Sequence, residues 1–432
     1  MRQMGHMQNR RIHPNVIIGA AILLVVLVVA LVLLSKGGTV DVPSTALLHS
    51  EVSLYQNGKA PGVGMFPVLS LKGSGTIPSV AKPASWTPIS VTSSGQCVDT
   101  VFFHSDQNGA WNIFRLDKPN SFQDITNGKN NVVDAEPSRS PDGKWIAFIS
   151  NRDGIWQVYV TQADGSAQPR RLTFDAPSAD LSPMWSPDGK FIAYESTRTG
   201  GRSIFMVNVQ TGEDTQLTSS PADVNAFWSP DSKTLLYQSQ ATGLWQINAL
   251  DVASKKTTTL SDGQANDINP QFSPNGSMIA FRTFRGDNSD NSIVYVMNAD
   301  KSNAHAISDQ KGNATNPVWS PDSSMVAYQS DLGGKLAVYV EQVASNTTRQ
   351  VTDVSTHSYA PTWRCDNNSL VFTSDVTGNA NLFQTNALPL NGAPINPASG
   401  MQLTSAGSTA SAQYPVDFPS IEDASQRGRI TP

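Results

Sequence analysis

Ser186-Pro187-Asp188-Gly189-Lys190-Phe191-Ile192-Ala193-Tyr194-Glu195-Ser196 decides the fold, because its arrangement returns along the chain at a nearly fixed interval. It comes back as Ser140-Pro141-Asp142-Gly143 before Ile146-Ala147-Phe148 and as Ser229-Pro230-Asp231-Ser232 before Leu235-Leu236-Tyr237. Two further copies are Ser273-Pro274-Asn275-Gly276 before Ile279-Ala280-Phe281, and Ser320-Pro321-Asp322-Ser323 before Val326-Ala327-Tyr328. Worn copies stand at either end: Cys97-Val98 before Val101-Phe102-Phe103, and Cys365-Asp366-Asn367 before Leu370-Val371-Phe372. Aligned on the Asp of the turn, the copies fall at 97, 142, 188, 231, 275, 322 and 366, with steps of 43 to 47 residues. A period of this length marks an array of one supersecondary unit, here present seven times.

Each unit reads as four strands. A short extended segment such as Pro183-Met184-Trp185 leads into Pro-Asp-Gly, where Pro presets φ and Gly accepts φ > 0. In the run that follows, Ile146 and Phe148 share one face and the small Ala147 takes the other, the pattern of a strand buried on both sides. A polar hairpin such as Asn151-Arg152-Asp153-Gly154 precedes β-branched and aromatic runs: Val158-Tyr159-Val160, Ile204-Phe205-Met206-Val207, Val294-Tyr295-Val296, Val338-Tyr339-Val340. The unit ends in Leu-Thr or a variant, from Ile125-Thr126 and Leu172-Thr173 to Leu403-Thr404. No helical stripe longer than two turns lies between 95 and 420.

Four-stranded repeats of this length build an all-β propeller, in which every sheet buries both faces against its neighbours and the ring closes on itself. An open solenoid is the alternative and would leave two exposed edges. The first unit lacks a leading Pro-x-Trp strand, whereas Tyr414-Pro415-Val416-Asp417-Phe418 follows the seventh Leu-Thr and resembles Asn316-Pro317-Val318-Trp319. Residues 414–418 are therefore expected to supply the inner strand of blade one. Seven blades are expected, six and eight being the neighbouring counts.

The Pro-x-Trp-Ser-Pro-Asp-Gly-Lys-x-Ile-Ala-Tyr pattern, with its downstream Ile-Phe-x-Val and Leu-Thr, resembles the WD-like propeller repeats of TolB and of the amino-terminal domains of prolyl oligopeptidase-type peptidases. The resemblance covers roughly residues 95–420 and implies architecture. TolB carries an α/β domain before its propeller, where this chain has a low-complexity stretch, and the peptidases carry a hydrolase domain that has no counterpart here.

Ahead of the repeats, Arg2, Arg10 and Arg11 precede nineteen residues without charge, Val16 to Leu34. As a helix these would span ~28 Å, close to the ~30 Å hydrocarbon core of a bilayer. The reading is a transmembrane anchor over 16–35, the competing reading a cleaved secretory signal. The run is longer than a typical signal core, and it exits through Leu33-Leu34-Ser35-Lys36 with no Ala-x-Ala site. Three Arg before the run put residues 1–15 in the cytoplasm and the propeller outside a cell membrane. Residues 36–92 are rich in Gly, Pro, Ser and Thr and read as a linker with one or two short strands at most; the propeller is placed at 93–420, and 421–432 reads as a disordered tail. Beyond Lys36 lie all 35 acids and 26 of the 30 basic residues, a net charge of −9, which argues against nucleic acid as a partner.

Cys97 and Cys365 sit at nearly the same place in the first and last units, neighbours only if the ring closes. A Cys97–Cys365 disulfide is expected in an oxidising compartment, contributing on the order of 4–5 kcal/mol by loop entropy. Two separate thiols are the alternative.

The chain has no His-Glu-x-x-His, no Gly-x-Ser-x-Gly and no phosphate-cradling Gly-Lys-Ser loop. No catalytic residue, cofactor or metal is assigned. His104 and His357 would be candidates for a metal site if they met across the closure, and Asp287-Asn288-Ser289-Asp290-Asn291 carries alternating oxygen ligands that also suit a plain polar hairpin. In propellers, function is placed on the loops between blades at the channel mouth. Those loops hold Asp134, Glu136, Asp180, Asn225, Asp267, Asn269, Asn316, His357 and Tyr359, each expected just before the innermost strand of its blade. Such a ring of polar oxygens suits a peptide, a basic loop of a protein or a glycan; the bland reading is that Asp and Asn only satisfy turn backbones. The expectation is a membrane-anchored extracytoplasmic binding scaffold. Its rivals are a propeller enzyme of the lyase or cyclotransferase type and a sensor half whose short cytoplasmic end docks to another protein.

Overall fold

The computed structural model describes residues 82–83, 85–91, 100–129, 132–175, 177–285 and 291–405, and the backbone of 413–416. The chain divides between Phe66 and Pro67, and every described residue belongs to the second unit. The expected membrane helix, Cys97 and most of the 287–291 run lie outside the described residues. None of the described helices is long and apolar enough to cross a membrane.

Among the described residues, twenty-eight strands form seven four-stranded antiparallel sheets. Blade two is typical, running outward through Asp134–Arg139, Trp145–Ser150, Gln157–Gln162 and Arg170–Arg171. The inner strands of blades three to seven are Asp180–Trp185, Asp223–Trp228, Asp267–Phe272, Ala314–Trp319 and Ser358–Trp363. Blade one is completed from the far end of the chain: Gln413–Val416 pairs antiparallel with Val101–Ser105, with Phe102 opposite Val416 and His104 opposite Gln413. The expected crossover is thus present over 414–416, residues 417 and 418 lying outside the described residues, and the ring closes.

Second strands are buried on both faces, as the alternation required. Ile146, Ala147 and Phe148 are inaccessible to solvent, as are Ile192, Ala193 and Tyr194. Aromatic rings stack from second to third strand within a blade, Phe148 on Tyr159, Tyr328 on Tyr339 and Phe372 on Phe383 at 5.6–6.1 Å. Such pairs add to the area they bury.

The sequence motifs resolve into hydrogen bonds. In Ser-Pro-Asp-Gly the Ser186 hydroxyl donates to Asp188 Oδ1 (2.7 Å), which also accepts the Lys190 N–H (3.1 Å), while the Phe191 N–H returns to Ser186 Oγ (2.9 Å). Ser140, Ser229, Ser273 and Ser320 repeat this arrangement. In blades four, six and seven the Trp closing the inner strand donates its indole N–H to the inner strand of the preceding blade, from Trp228 to Met184 O (3.2 Å), Trp319 to Gln271 O (3.3 Å) and Trp363 to Val318 O (3.1 Å). The buried Trp185 indole N–H has no such partner among the described residues. The hydroxyl of each terminal Leu-Thr accepts the N–H of a third-strand residue, as in Ile113 to Thr126 (3.0 Å), Val158 to Thr173 (3.1 Å), Ile204 to Thr218 (2.9 Å) and Leu382 to Thr404 (3.0 Å).

Thr173→Val and Thr218→Val each leave a buried N–H without its acceptor and are expected to cost about 1–3 kcal/mol. Chemical denaturation checks this, Thr173→Ser recovering most of the loss; equal midpoints for the Val and Ser variants would remove the hydroxyl from the account.

Candidate functional site

The inner strands of successive blades from two round to one touch one another about the channel, and those of blades two to seven each carry an irregularity at the same place. Pairing with the second strand shifts between the second and fifth residues, at Ala135/Ser138, Leu181/Met184, Val224/Phe227, Ile268/Gln271, Thr315/Val318 and Tyr359/Thr362. The third residue has positive φ in all six: Glu136, Ser182, Asn225, Asn269, Asn316 and Ala360, at +50 to +56°. Asn tolerates this left-handed conformation better than most side chains, and three of the six are Asn. In five of them the next residue is Pro, Pro137, Pro183, Pro270, Pro317 and Pro361, which suits a bulge because it needs no ladder N–H.

Four of the six turned-out N–H groups are caught by the neighbouring blade. Asn225 N–H donates to Glu195 Oε1 (2.8 Å), Asn269 N–H to Gln238 Oε1 (2.8 Å) and Ala360 N–H to Gln329 Oε1 (2.7 Å). These acceptors hold the fifth position of their second strands. Ile149 holds it in blade two and has no acceptor, so Glu136 Oε2 reaches across to the Ser182 N–H instead (2.8 Å). Asn225 Nδ2 donates to Gln238 Oε1 (3.0 Å) and Asn269 Oδ1 (3.1 Å), linking blades four and five. Ser182 Oγ and Asn316 Oδ1 are buried with no hydrogen-bond partner among the described residues.

The aspartates begin their strands and are fully buried. Asp134 is held by Arg152 (2.9 Å to both oxygens) and Asp267 by Arg285 (2.9 and 2.7 Å). In both, burial pushes the carboxyl up, and the Arg and neighbouring hydroxyls oppose it. Blade three differs. Arg198 occupies the equivalent place, with Nε on Ser196 Oγ (3.0 Å), but its Nη1 engages Asp175 (2.7 Å) and Asp214 (2.6 Å) while Nη2 stays 4.0 Å from Asp180. Neither Asp180 oxygen receives a well-directed hydrogen bond from a described residue. Burial pushes this carboxyl up to about 6, against the weaker pull of Ser196, Thr173 and Arg198.

Of the residues expected from sequence, Glu136, Asn225, Asn269 and Asn316 hold the third position of their inner strands, with Asn225 bonded to Asn269, while Asp134, Asp180 and Asp267 stand two residues earlier, at the start of theirs. His357 is half-buried; its Nδ1 accepts the Leu336 N–H (3.3 Å) and its own backbone N–H donates to Asp375 (2.9 Å). Tyr359 is the second residue of its inner strand, its hydroxyl pushed above the usual range by burial. His104 is buried edge-on to Trp111 at 5.3 Å, and burial lowers its imidazole to about 4. Among the described residues no group of three or more His, Cys, Asp or Glu side chains is placed to hold a metal ion. Sequence reasoning missed Ser182 and Ala360, whose side chains resemble nothing else in the ring, and the acceptors Glu195, Gln238 and Gln329. Aligning the fifth residue of each second strand would have shown that last column.

A family model described as the TolB beta propeller domain matches residues 166–290 and 268–410. The chain belongs to the TolB β-propeller family. A search of curated proteins finds no match to this family member. Among solved structures, a TolB from Agrobacterium tumefaciens described as putative is 20% identical with a TM-score of 0.46, over 53% of this chain and 83% of that one. TolB from Acinetobacter baumannii is 18% identical, TM-score 0.47, over 63% and 66%. An oligogalacturonate lyase from Vibrio parahaemolyticus is 16% identical, TM-score 0.50, over 72% and 85%. Likeness at this level of identity concerns the propeller fold alone.

Asp180 carries the pH signature of the site. Its carboxyl binds a proton more readily in the folded chain, at about 6, than at the ordinary value of 3.8. Stability therefore falls as pH rises from about 4 to 6, and the full cost, up to about 3 kcal/mol, stands above 6. Asp180→Asn is expected to flatten that slope and match or exceed the parent at pH 7. Asp134→Asn, which unpairs Arg152, should lose about 3–5 kcal/mol at pH 7. Denaturation midpoints from pH 4 to 8 separate the two.

Proposed function

We propose that this TolB-family chain is a membrane-anchored, extracytoplasmic propeller that binds a protein, peptide or glycan through its channel-mouth loops. The observation that carries the reading is the imbalance of the inner ring, where the buried Ser182 Oγ and Asn316 Oδ1 find no partner among the described residues. A buried polar group without a partner calls for an explanation, and a donor-bearing ligand such as a backbone N–H, a basic side chain or a sugar hydroxyl supplies one. Glu136, Asn225, Asn269 and Asn316 are the proposed ring contacts, with His357 and Tyr359 on the blade-seven side. Asp134, Asp180 and Asp267 hold the blades that present them. The anchor is residues 16–34, with residues 1–15 in the cytoplasm and the propeller outside the cell membrane.

Chemical crosslinking and affinity capture with the full chain in mild detergent test the ring. A specific partner should be retained by the parent and reduced at least tenfold by Asn316→Leu combined with Ser182→Ala. Undiminished capture by that variant would move the binding surface elsewhere. Metal analysis of the purified chain separates the enzyme alternative, which a stoichiometric transition metal would favour.

The Cys97–Cys365 bridge belongs to the same proposal, supported by Cys365 not being a free thiol. Non-reducing peptide mapping should recover the linked pair, and reduction should lower the melting temperature of the parent but not of the Cys97→Ser/Cys365→Ser variant.

A further inference from the structure

The described end of the Gly/Pro/Ser/Thr-rich stretch is seated on the propeller. Ile89 is fully buried, in the core cluster that contains Val158, Val160 and Leu172 of blade two and Ile192, Phe205 and Val207 of blade three. Its N–H donates to Val209 O (3.1 Å), and the same carbonyl accepts the Trp86 indole N–H (3.0 Å). Arg170 stacks over the Trp86 ring (5.1 Å) and donates to Thr87 O, the Lys82 ammonium donates to Gly212 O, and the Trp145 indole donates to Ser90 O (3.3 Å).

The seat is fitted to its occupant. A Cβ on Gly212 would stand 2.3 Å from Trp86 Cδ2, and one on Gly189 2.3 Å from Val91 Cγ1. Blades four, six and seven carry Ser232, Ser323 and Asn367 where blade three carries Gly189. Those side chains accept the Asp188, Asn275 and Asp322 N–H groups of the preceding blade (3.0, 3.0 and 2.8 Å). At the junction of blades two and three, Val91 takes the corresponding space against Pro141 and Gly189.

These contacts fall at one end of the propeller. In a four-stranded meander the hairpins joining strands one to two and three to four share an end, and the remaining hairpin and the blade-to-blade connections share the other. Pro141 and Gly189 belong to one-to-two turns, Val209 and Gly212 to a three-to-four hairpin. The loops leading to Asp134, Asp180, Asp267 and His357 are at the opposite end.

We propose that residues 82–83 and 85–91 belong to a docking strap that sets the polarity of the propeller. The described chain enters the propeller at its Pro-Asp-Gly end, and the blade-connecting end, with the ring mouth, is the surface left for a soluble partner. The orientation relative to a membrane rests on the anchor proposed above; the docking does not.

Two measurements on the full chain keep these apart. In limited proteolysis, cleavage within 82–91 should be at least tenfold slower than in the preceding linker, and Trp86→Ala combined with Ile89→Ser should abolish the difference while the propeller still unfolds cooperatively. Equal cleavage rates in the parent overturn the strap. In reconstituted vesicles carrying headgroup quenchers, a fluorophore on Ala253→Cys, in the three-to-four hairpin of blade four, should be quenched several-fold more than one on Thr242→Cys at the opposite end. Equal quenching in a vesicle-bound chain overturns the polarity. A chain that fails to associate with vesicles refutes the anchor, and the proteolysis result then decides the strap alone.

Discussion

Positive φ at the third residue of the inner strands of blades two to seven is the constraint from which the rest of the ring follows. It turns a backbone N–H out of its own sheet and obliges the neighbouring blade to supply an acceptor, which Glu195, Gln238 and Gln329 do from one position of the second strand. Where that position is Ile149, Glu136 supplies the acceptor from the inner strand itself. The blades are joined by backbone satisfaction as well as by apolar area, so a substitution in one second strand is felt in the next blade.

The same economy holds across the blades. Hydroxyls of the terminal Leu-Thr hold third-strand N–H groups, and the indoles of Trp228, Trp319 and Trp363 reach carbonyls of the preceding inner strand. Each recurrent letter of the repeat thus answers to a particular unpaired backbone group. This is why the repeat is recognisable even where, as at Asn275 and Asp366, neighbouring letters have drifted.

Architecture was legible because a period of two within strands and of roughly 44 residues between turns survives drift, and because a lone Tyr-Pro segment after the last repeat had only one place to go. The site was legible in part. Asn225, Asn269 and Asn316 stand out because Asn suits a left-handed backbone, whereas Ser182 and Ala360 adopt the same φ with side chains that carry no such mark. Asp134, Asp180 and Asp267 read as loop acids when only their order in the chain is seen, and burial with Arg152, Arg198 and Arg285 close by becomes apparent only in three dimensions. Trp86 and Ile89 sit in a stretch without periodicity, and a segment seated by a few scattered side chains and backbone carbonyls leaves no periodic trace.

Completion of blade one by Gln413–Val416 has a consequence for biogenesis. Blades two to seven take all four strands from consecutive sequence and can stack in order as they emerge from the ribosome, but Val101–Ser105 must wait, one edge unpaired, until more than three hundred further residues have been made. An uncovered strand of Val, Phe and Phe is a template for intermolecular pairing. Premature termination anywhere in the last blade would therefore yield a chain rich in native sheet yet sticky at a single rim, a natural client for a holdase chaperone.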